Sequence, residues 1–581
     1  MSSAVTLECK KLCMFRCLYA VGLSIAMQYF LLTVFLLLVN FHILHPVNWI
    51  TTTFGLIFSF YTWLSIMPLI SSVIVFGILL GKSFLSVKKY YATRFRWFIG
   101  TVLRKFAFLG IHLMVGFLTA WLYARFLHED YRTLLMPYFD RSFVNSRYTL
   151  LVFTGVSAGF YFFAKENLKH ESEIEFPIIQ ENKLIKIRSI VYSTLYNSLL
   201  KSLGPTFGFA FLYWIVGPSL NRTLANFFTC EVDETFNSLF SILTNVRLLF
   251  YSWILCSQIL SNMELMRQFF SFLLAEEMHF VIEKNPVVAA SRTEVTLVEA
   301  LALREVPVVQ QLACLDLYNL ASGKAANRRQ EVFALSIPGG HPYNWNQISG
   351  QCLSLINEFT EKLASSVKRI STMKNAPQFA QLKPSASETA ERILLRQYNE
   401  TYGIRRMNQD PVEPPQPRCV PVDQSTNPCD RVTEMLENFQ KTIEEAATTA
   451  LYAFPGVFYL FGEQDGAKTA FVLSNSQAIV WLTEGLAGIC ASSLHEDKYG
   501  VVQNELSKII KSLLKLKLEL DKLNNVNLNG KKLDRNLITL KNAIKRSLYR
   551  ICTVFGDYMK DLVDEQEDLR HLHCFLSYQE T

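Results

Sequence analysis

Apolar residues fill the first 260 positions of this chain in long runs; beyond them they recur at every third or fourth position. A run of about 20 apolar residues is what an α-helix needs to cross a bilayer's hydrocarbon core. The pattern predicts six transmembrane helices, at 18–39, 54–80, 106–123, 148–164, 198–217 and 239–260, in a membrane domain covering 1–261. The first apolar run, 17–44, is too long for a cleavable signal peptide and reads as a retained anchor. Gly155 and Gly159 in the fourth run form a G-x-x-x-G step, which lets a neighbouring helix approach closely.

After residue 261 the period changes to that of amphipathic helices in water. Residues 262–373 read as helical, with a helix opening at Pro307 and another carrying Ile348, Cys352, Leu355, Phe359, Leu363 and Val367 on one face. Between them lies a turn-rich strip with Pro338, Gly339, Gly340, His341, Pro342 and Trp345. Residues 374–429 hold eight of the nineteen prolines and read as a flexible linker. Residues 430–581 read as helical again. Within them, 451–461 is apolar but too short to span, so it is either core or a patch dipping into a membrane surface. Val502, Leu506, Ile509, Leu513, Leu516, Leu520 and Leu523 form a stripe, and Leu533, Leu537, Leu540, Ile544, Leu548 and Ile551 a second. They suggest a helical hairpin that either packs within the domain or docks a partner. The fold class expected is all-α: a six-helix polytopic membrane domain followed by a mostly helical cytoplasmic domain.

Charge orients the spans. The net charge is +7, with 22 basic and 12 acidic residues through position 261, and 35 and 38 after it. Sixteen basic residues precede the first span or lie in the second and fourth connections, against five in the other three. The positive-inside rule then places both termini in the cytoplasm. A glycosylation sequon at Asn221-Arg222-Thr223 falls on the lumenal side, close to the membrane. Basic loops beside apolar spans serve topology and anionic headgroups rather than nucleic acid.

Chemistry is sparse. The twelve cysteines form no C-x-x-C pair. Cys9, Cys13 and Cys17 recur every four residues as either buried thiols or S-palmitoylation sites. No P-loop, G-x-S-x-G or H-E-x-x-H motif occurs. Glu276-x-x-His279 is one step where a di-iron bundle needs two, and His571, His573 and Cys574 lack a second ligand pair. His128-Glu129-Asp130 falls on the lumenal side. No acidic residue lies within a predicted span, and Arg247 is the one clear charge at depth. A transporter or channel is the alternative reading, weakened by that scarcity. No enzyme, cofactor or metal site is expected.

Five stretches carry a resemblance. Residues 311–317, Gln-Leu-Ala-Cys-Leu-Asp-Leu, and 328–333, Arg-Arg-Gln-Glu-Val-Phe, are similar to the cytoplasmic domain of the nuclear-division-cycle (Ndc1-type) family of transmembrane nucleoporins. So is the strip from Ser336 to Trp345, that family's most specific element. Trp481-Leu-Thr-Glu-Gly-Leu486 and Glu496-Asp-Lys-Tyr-Gly-Val-Val-Gln503 resemble its C-terminal block. The resemblance implies an integral nuclear pore protein at the nuclear envelope that anchors scaffold and supports pore assembly and nucleocytoplasmic transport. Implied partners are nuclear membrane lipids, scaffold and inner-ring nucleoporins, an aladin-like WD-repeat nucleoporin and other pore-membrane proteins. Pro338, Gly339, Gly340, His341, Trp345 and Trp481 are the structural and docking candidates.

Overall fold

A computed structural model describes residues 2–41, 44–87, 89–138, 141–169, 174, 176, 181–232, 238–283, 295–322, 326–335, 339–375, 459, 467–527, 535–563 and 565–576. Nearly all of them are helical. The first half comprises α1 (Ser2–Val39), α2 (Pro46–Ile57), α3 (Phe60–Leu85), α4 (Arg94–Ala124), α5 (Ser146–Lys169), α6 (Lys183–Lys201), α7 (Leu203–Phe228), α8 (Leu239–Thr244) and α9 (Val246–Leu274). A small sheet interrupts it: β1 (Leu135–Tyr138) pairs antiparallel with β2 (Arg141–Val144), which pairs parallel with β3 (Glu231–Val232). The hydropathy pattern gave no sign of these strands.

Four apolar stretches of this half are long enough to cross a membrane: Ala4–Val39, Phe60–Leu85, Lys105–Ala124 and the paired α6–α7 at Lys183–Phe228. A fifth, Ser476–Glu496, meets the same length and composition but has 67% of its apolar window buried by protein. The expected span 54–80 straddles two helices, since α2 ends at Ile57 and α3 starts at Phe60. The expected 239–260 is likewise divided between α8 and α9. With 38 residues rising 1.5 Å each, α1 is about 57 Å long, nearly twice a hydrocarbon core. α9 continues past 261 without a break.

The second half comprises α10 (Leu297–Ala302), α11 (Pro307–Leu320), α12 (Ala326–Phe333), α13 (Tyr343–Asn375), α14 (Ala467–Ser474), α15 (Ser476–Glu496), α16 (Gln503–Asn527), α17 (Arg535–Phe555), α18 (Met559–Leu562) and α19 (Gln566–Leu576). The seven residues of the first heptad stripe are all buried, as are Leu537, Leu540, Ile544, Leu548 and Ile551 of the second. α16 and α17 touch, but each has a larger partner: α16 packs on α13, and α17 on α15. α11 lies against α15. The helices before and after 374–429 thus interleave in one core. Residues 376–458 and 460–466 lie outside the described residues, so of 451–461 only Tyr459 is seen.

Candidate functional site

Two adjacent arginines on α12 hold the second half together. Arg328 donates both terminal nitrogens to Asp316 of α11 at 2.9 Å, and a further bond to the Phe280 carbonyl at 2.8 Å. Asp316 also accepts from the Phe280 amide at 3.0 Å. Arg329 points the other way, giving Nε and Nη2 to Glu496 at 2.9 and 2.7 Å and Nη1 to the Leu320 and Ser322 carbonyls. Planar guanidinium forks suit such two-point contacts. The bonds to Asp316 and Glu496 hold both arginines above their ordinary pKa, and the bond from Arg329 holds Glu496 below the usual carboxylate range. Segments around 280, 316, 328 and 496 are thereby tied into one cluster.

The turn-rich strip launches α13. Gly339 and Gly340 have φ of 125° and 63°, a region that side chains with a Cβ rarely adopt. The Tyr343 amide donates to the His341 carbonyl at 2.8 Å, and the Asn346 amide to the Pro342 carbonyl at 3.1 Å. Asn344 reaches back to the Glu331 carbonyl at 3.1 Å. This places Trp345 in the first turn of α13, fully buried, 6.4 Å from the Phe333 ring of α12. Its indole N–H meets no acceptor among the described residues, so the ring acts through its apolar area. His341 is exposed, and Pro338 lies outside the described residues.

Trp481 is buried on α15 and makes an edge contact, 5.8 Å between centroids, with Phe176 from the α5–α6 connection. Further along α15, a Cβ on Gly485 would sit 3.1 Å from the Leu317 backbone, and one on Gly488 would sit 2.6 Å from the Ala321 Cβ. Glycine is what lets α15 lie against α11. Four buried thiols share this core. Burial pushes Cys314, Cys490 and Cys552 up to about 12 and raises Cys352 further, with the neighbouring Cys314 and Cys490 adding to it. They are neutral hydrophobic fillers.

The core is also built onto the ends of the apolar helices. Arg16 of α1 donates to the carbonyls of Leu273, Leu274, Glu276 and Glu277, the last at 3.2 Å, capping the C-terminus of α9. Lys10 pairs with Glu305 at 3.2 Å, and Lys183 of α6 pairs with Glu276. Arg94 lies 3.8 Å over the Tyr459 ring, and Tyr90 packs 5.6 Å from Phe471 of α14. Cys9 and Cys13 are buried in this junction.

Among the apolar helices, α4 and α5 pack closest. A Cβ on Gly155 would collide with the Gly116 carbonyl, and one on Gly159 with the His112 carbonyl. The G-x-x-x-G step does what its spacing suggested. Asn221, the sequon residue, is buried inside α7 and bonded to Ser146 and Tyr213 at 3.1 and 3.0 Å, while Thr149 donates to it at 2.9 Å. That burial removes the sequon as a marker of sidedness. Two acidic groups that the span boundaries left out also enter this half: Glu264, bonded to Arg267 at 2.8 Å, and Glu166, 3.8 Å from the buried His112. The lengths of α5 and α9, both running past the expected spans, reveal them.

The similar stretches therefore meet in space: 311–317 on α11, 328–333 on α12, Trp345 on α13, Trp481 and Glu496 on α15. The family described as nucleoporin protein Ndc1-Nup matches residues 11–573. The chain belongs to this family. Two fruit-fly relatives, both named Nucleoporin Ndc1, are each 41% identical: that of Drosophila pseudoobscura over 99% of this chain and 100% of its own, that of Drosophila melanogaster over 98% of each. Human Nucleoporin NDC1 is 24% identical over 94% of both chains. Membership makes the chain a nucleoporin with several helices long and apolar enough to cross a membrane, and a structural protein in a family not known for enzymes. Among the described residues no group of three His, Cys, Asp or Glu side chains could hold a metal.

Proposed function

We propose that this nucleoporin anchors scaffold to the membrane of the nuclear pore. The helices of 1–261 sit in the pore membrane as six spans with both termini on the cytoplasmic side. The interleaved second half docks scaffold and inner-ring nucleoporins, an aladin-like WD-repeat nucleoporin and other pore-membrane proteins. It thereby supports pore assembly and nucleocytoplasmic transport. The observation that carries this reading is the junction: Arg16 of α1 caps the C-terminus of α9, while Lys10, Arg94 and Tyr90 beside the apolar helices meet Glu305, Tyr459 and Phe471 of the second half. Force on a docked scaffold would pass through that junction into the membrane helices. The test captures the tagged full chain from nuclear envelopes beside Trp345→Ala. The expected outcome is that the variant stays in the envelope and loses scaffold nucleoporins. Undiminished capture by a variant whose core has melted would refute docking by the second half.

A further inference from the structure

The outward face of α6 carries Leu184, Ile185, Tyr192 and Tyr196, all more than half exposed, with Leu199 and Leu200 beside them. Its inward face carries Thr194 and Ser198, both over nine-tenths buried. Exposed apolar side chains over two buried hydroxyls suit lipid outside and a polar guest within.

Behind that face lies a cleft of about 60 Å³ between α5, α6 and α9. Lys165 of α5 and Lys201 of α6 line it, together with Thr194, Asn197, Ser198 and Gln268. Neither lysine is in ion-pair contact with a carboxylate among the described residues. The acid in the cleft, Glu264, is already held by Arg267 at 2.8 Å and Gln268 at 2.9 Å. The Ser198 hydroxyl makes no hydrogen bond among the described residues, while Thr194 is turned to Gln268 at 3.0 Å. The cleft's wall includes Tyr161, Phe162 and Leu260. It thus combines two ammonium groups outside direct ion-pair contact, of which Lys165 faces the Glu264 charge, with an idle hydroxyl and an apolar wall, at the end of α5 that carries the basic connection.

We infer that this cleft binds the phosphate headgroup of an anionic phospholipid, with Lys165 and Lys201 on the phosphate, Ser198 donating to it and the acyl chains leaving across the apolar face of α6. The inference rests on the proposed reading only in placing these helices in a bilayer. Each lysine near an anionic lipid contributes about 1 kcal/mol, so removing both weakens binding on the order of thirty-fold.

The full chain, purified in neutral detergent, is titrated with a fluorescent phosphatidylinositol phosphate and with phosphatidylcholine carrying the same label. The expected result is preference for the anionic lipid, lost on the order of thirty-fold in Lys165→Gln/Lys201→Gln and kept in Lys165→Arg/Lys201→Arg. Lys82→Gln/Arg188→Gln removes equal charge elsewhere and should leave affinity within about threefold. Equal loss in that control would reduce the site to diffuse attraction and overturn the inference, as would equal binding of the neutral lipid. Competition by free inositol phosphate as strong as by the intact lipid would overturn the assignment to a lipid. Because every variant is also checked for membrane insertion, failure here is separable from failure of the anchor reading.

Discussion

The two halves of this chain use the same residues in opposite ways. In the second half the large apolar side chains are inside: Trp345, Trp481 and the leucine stripe of α16 are all at 2% exposure or less. In the first half Phe58, Phe60, Phe207 and Phe211 are more than half exposed, and α4 meets α5 through Gly116 and Gly155. Water drives the first arrangement by expelling apolar area. Lipid supplies no such drive, so helices there associate by close backbone approach and buried polar bonds such as Thr149–Asn221. The comparison teaches that the halves should fail in opposite directions: the second to truncation, the first to enlargement.

Trp345→Ala tests the truncation arm and has the largest expected effect, about 3–5 kcal/mol, because the ring is fully buried. Thermal unfolding of the full chain in detergent, followed by the second half's thiols becoming alkylatable, would measure it. Phe211→Ala, an equally large cut on an exposed ring of α7, should cost less than about 1 kcal/mol in lipid nanodiscs.

Gly155→Leu tests the enlargement arm. Its Cβ collides with the Gly116 carbonyl, so α4 and α5 must part, at about 3 kcal/mol. Proteolysis of the connection between α4 and α5 in nanodiscs should rise sharply. An unchanged digestion pattern would mean that the glycine contact does not hold the pair.

Arg329→Gln leaves Glu496 partly buried without its fork and should cost about 2 kcal/mol, less than a fully buried pair because Glu496 keeps some solvent. The pH sign follows from Glu496, whose folded pKa is depressed. Its contribution is present above the ordinary carboxylate value of about 4.3 and is lost as pH falls through the folded value. The melting temperature should therefore be flat in this respect from neutrality to about pH 5 and fall below it, less steeply in the variant.

The smallest effect is expected at Asn221. Its buried bonds leave no room for a glycan, so endoglycosidase should produce no mobility shift on the protein from cells.

Periodicity made most of the helices legible. The heptad stripe that ends at Leu523 is buried residue for residue, because burial in water writes itself as a period of 3.6. The partners of those helices were not legible: α16 and α17 looked like a hairpin, yet each lies chiefly on a helix far away in sequence. Helix boundaries inside apolar runs were also hidden, since lipid-facing residues carry no phase, and α2 and α3 merged into one expected span. Trp345 and Trp481 stood out through family resemblance. Asp316, Arg328, Arg329 and Glu496 lay inside the similar stretches, but only the fold shows that they pair. Arg16 gave no signal, because its acceptors are backbone carbonyls 257–261 residues away.

Under the proposed anchoring role, the membrane helices alone do not suffice without the second half they carry. Cells depleted of the endogenous protein would receive either the full chain or residues 1–283, which keep all four carbonyls that Arg16 caps. Pore number in the nuclear envelope is then counted. The account predicts that the full chain restores it and that the shorter chain reaches the envelope without restoring it. Full restoration by residues 1–283 would contradict the account and assign the function to the membrane helices themselves.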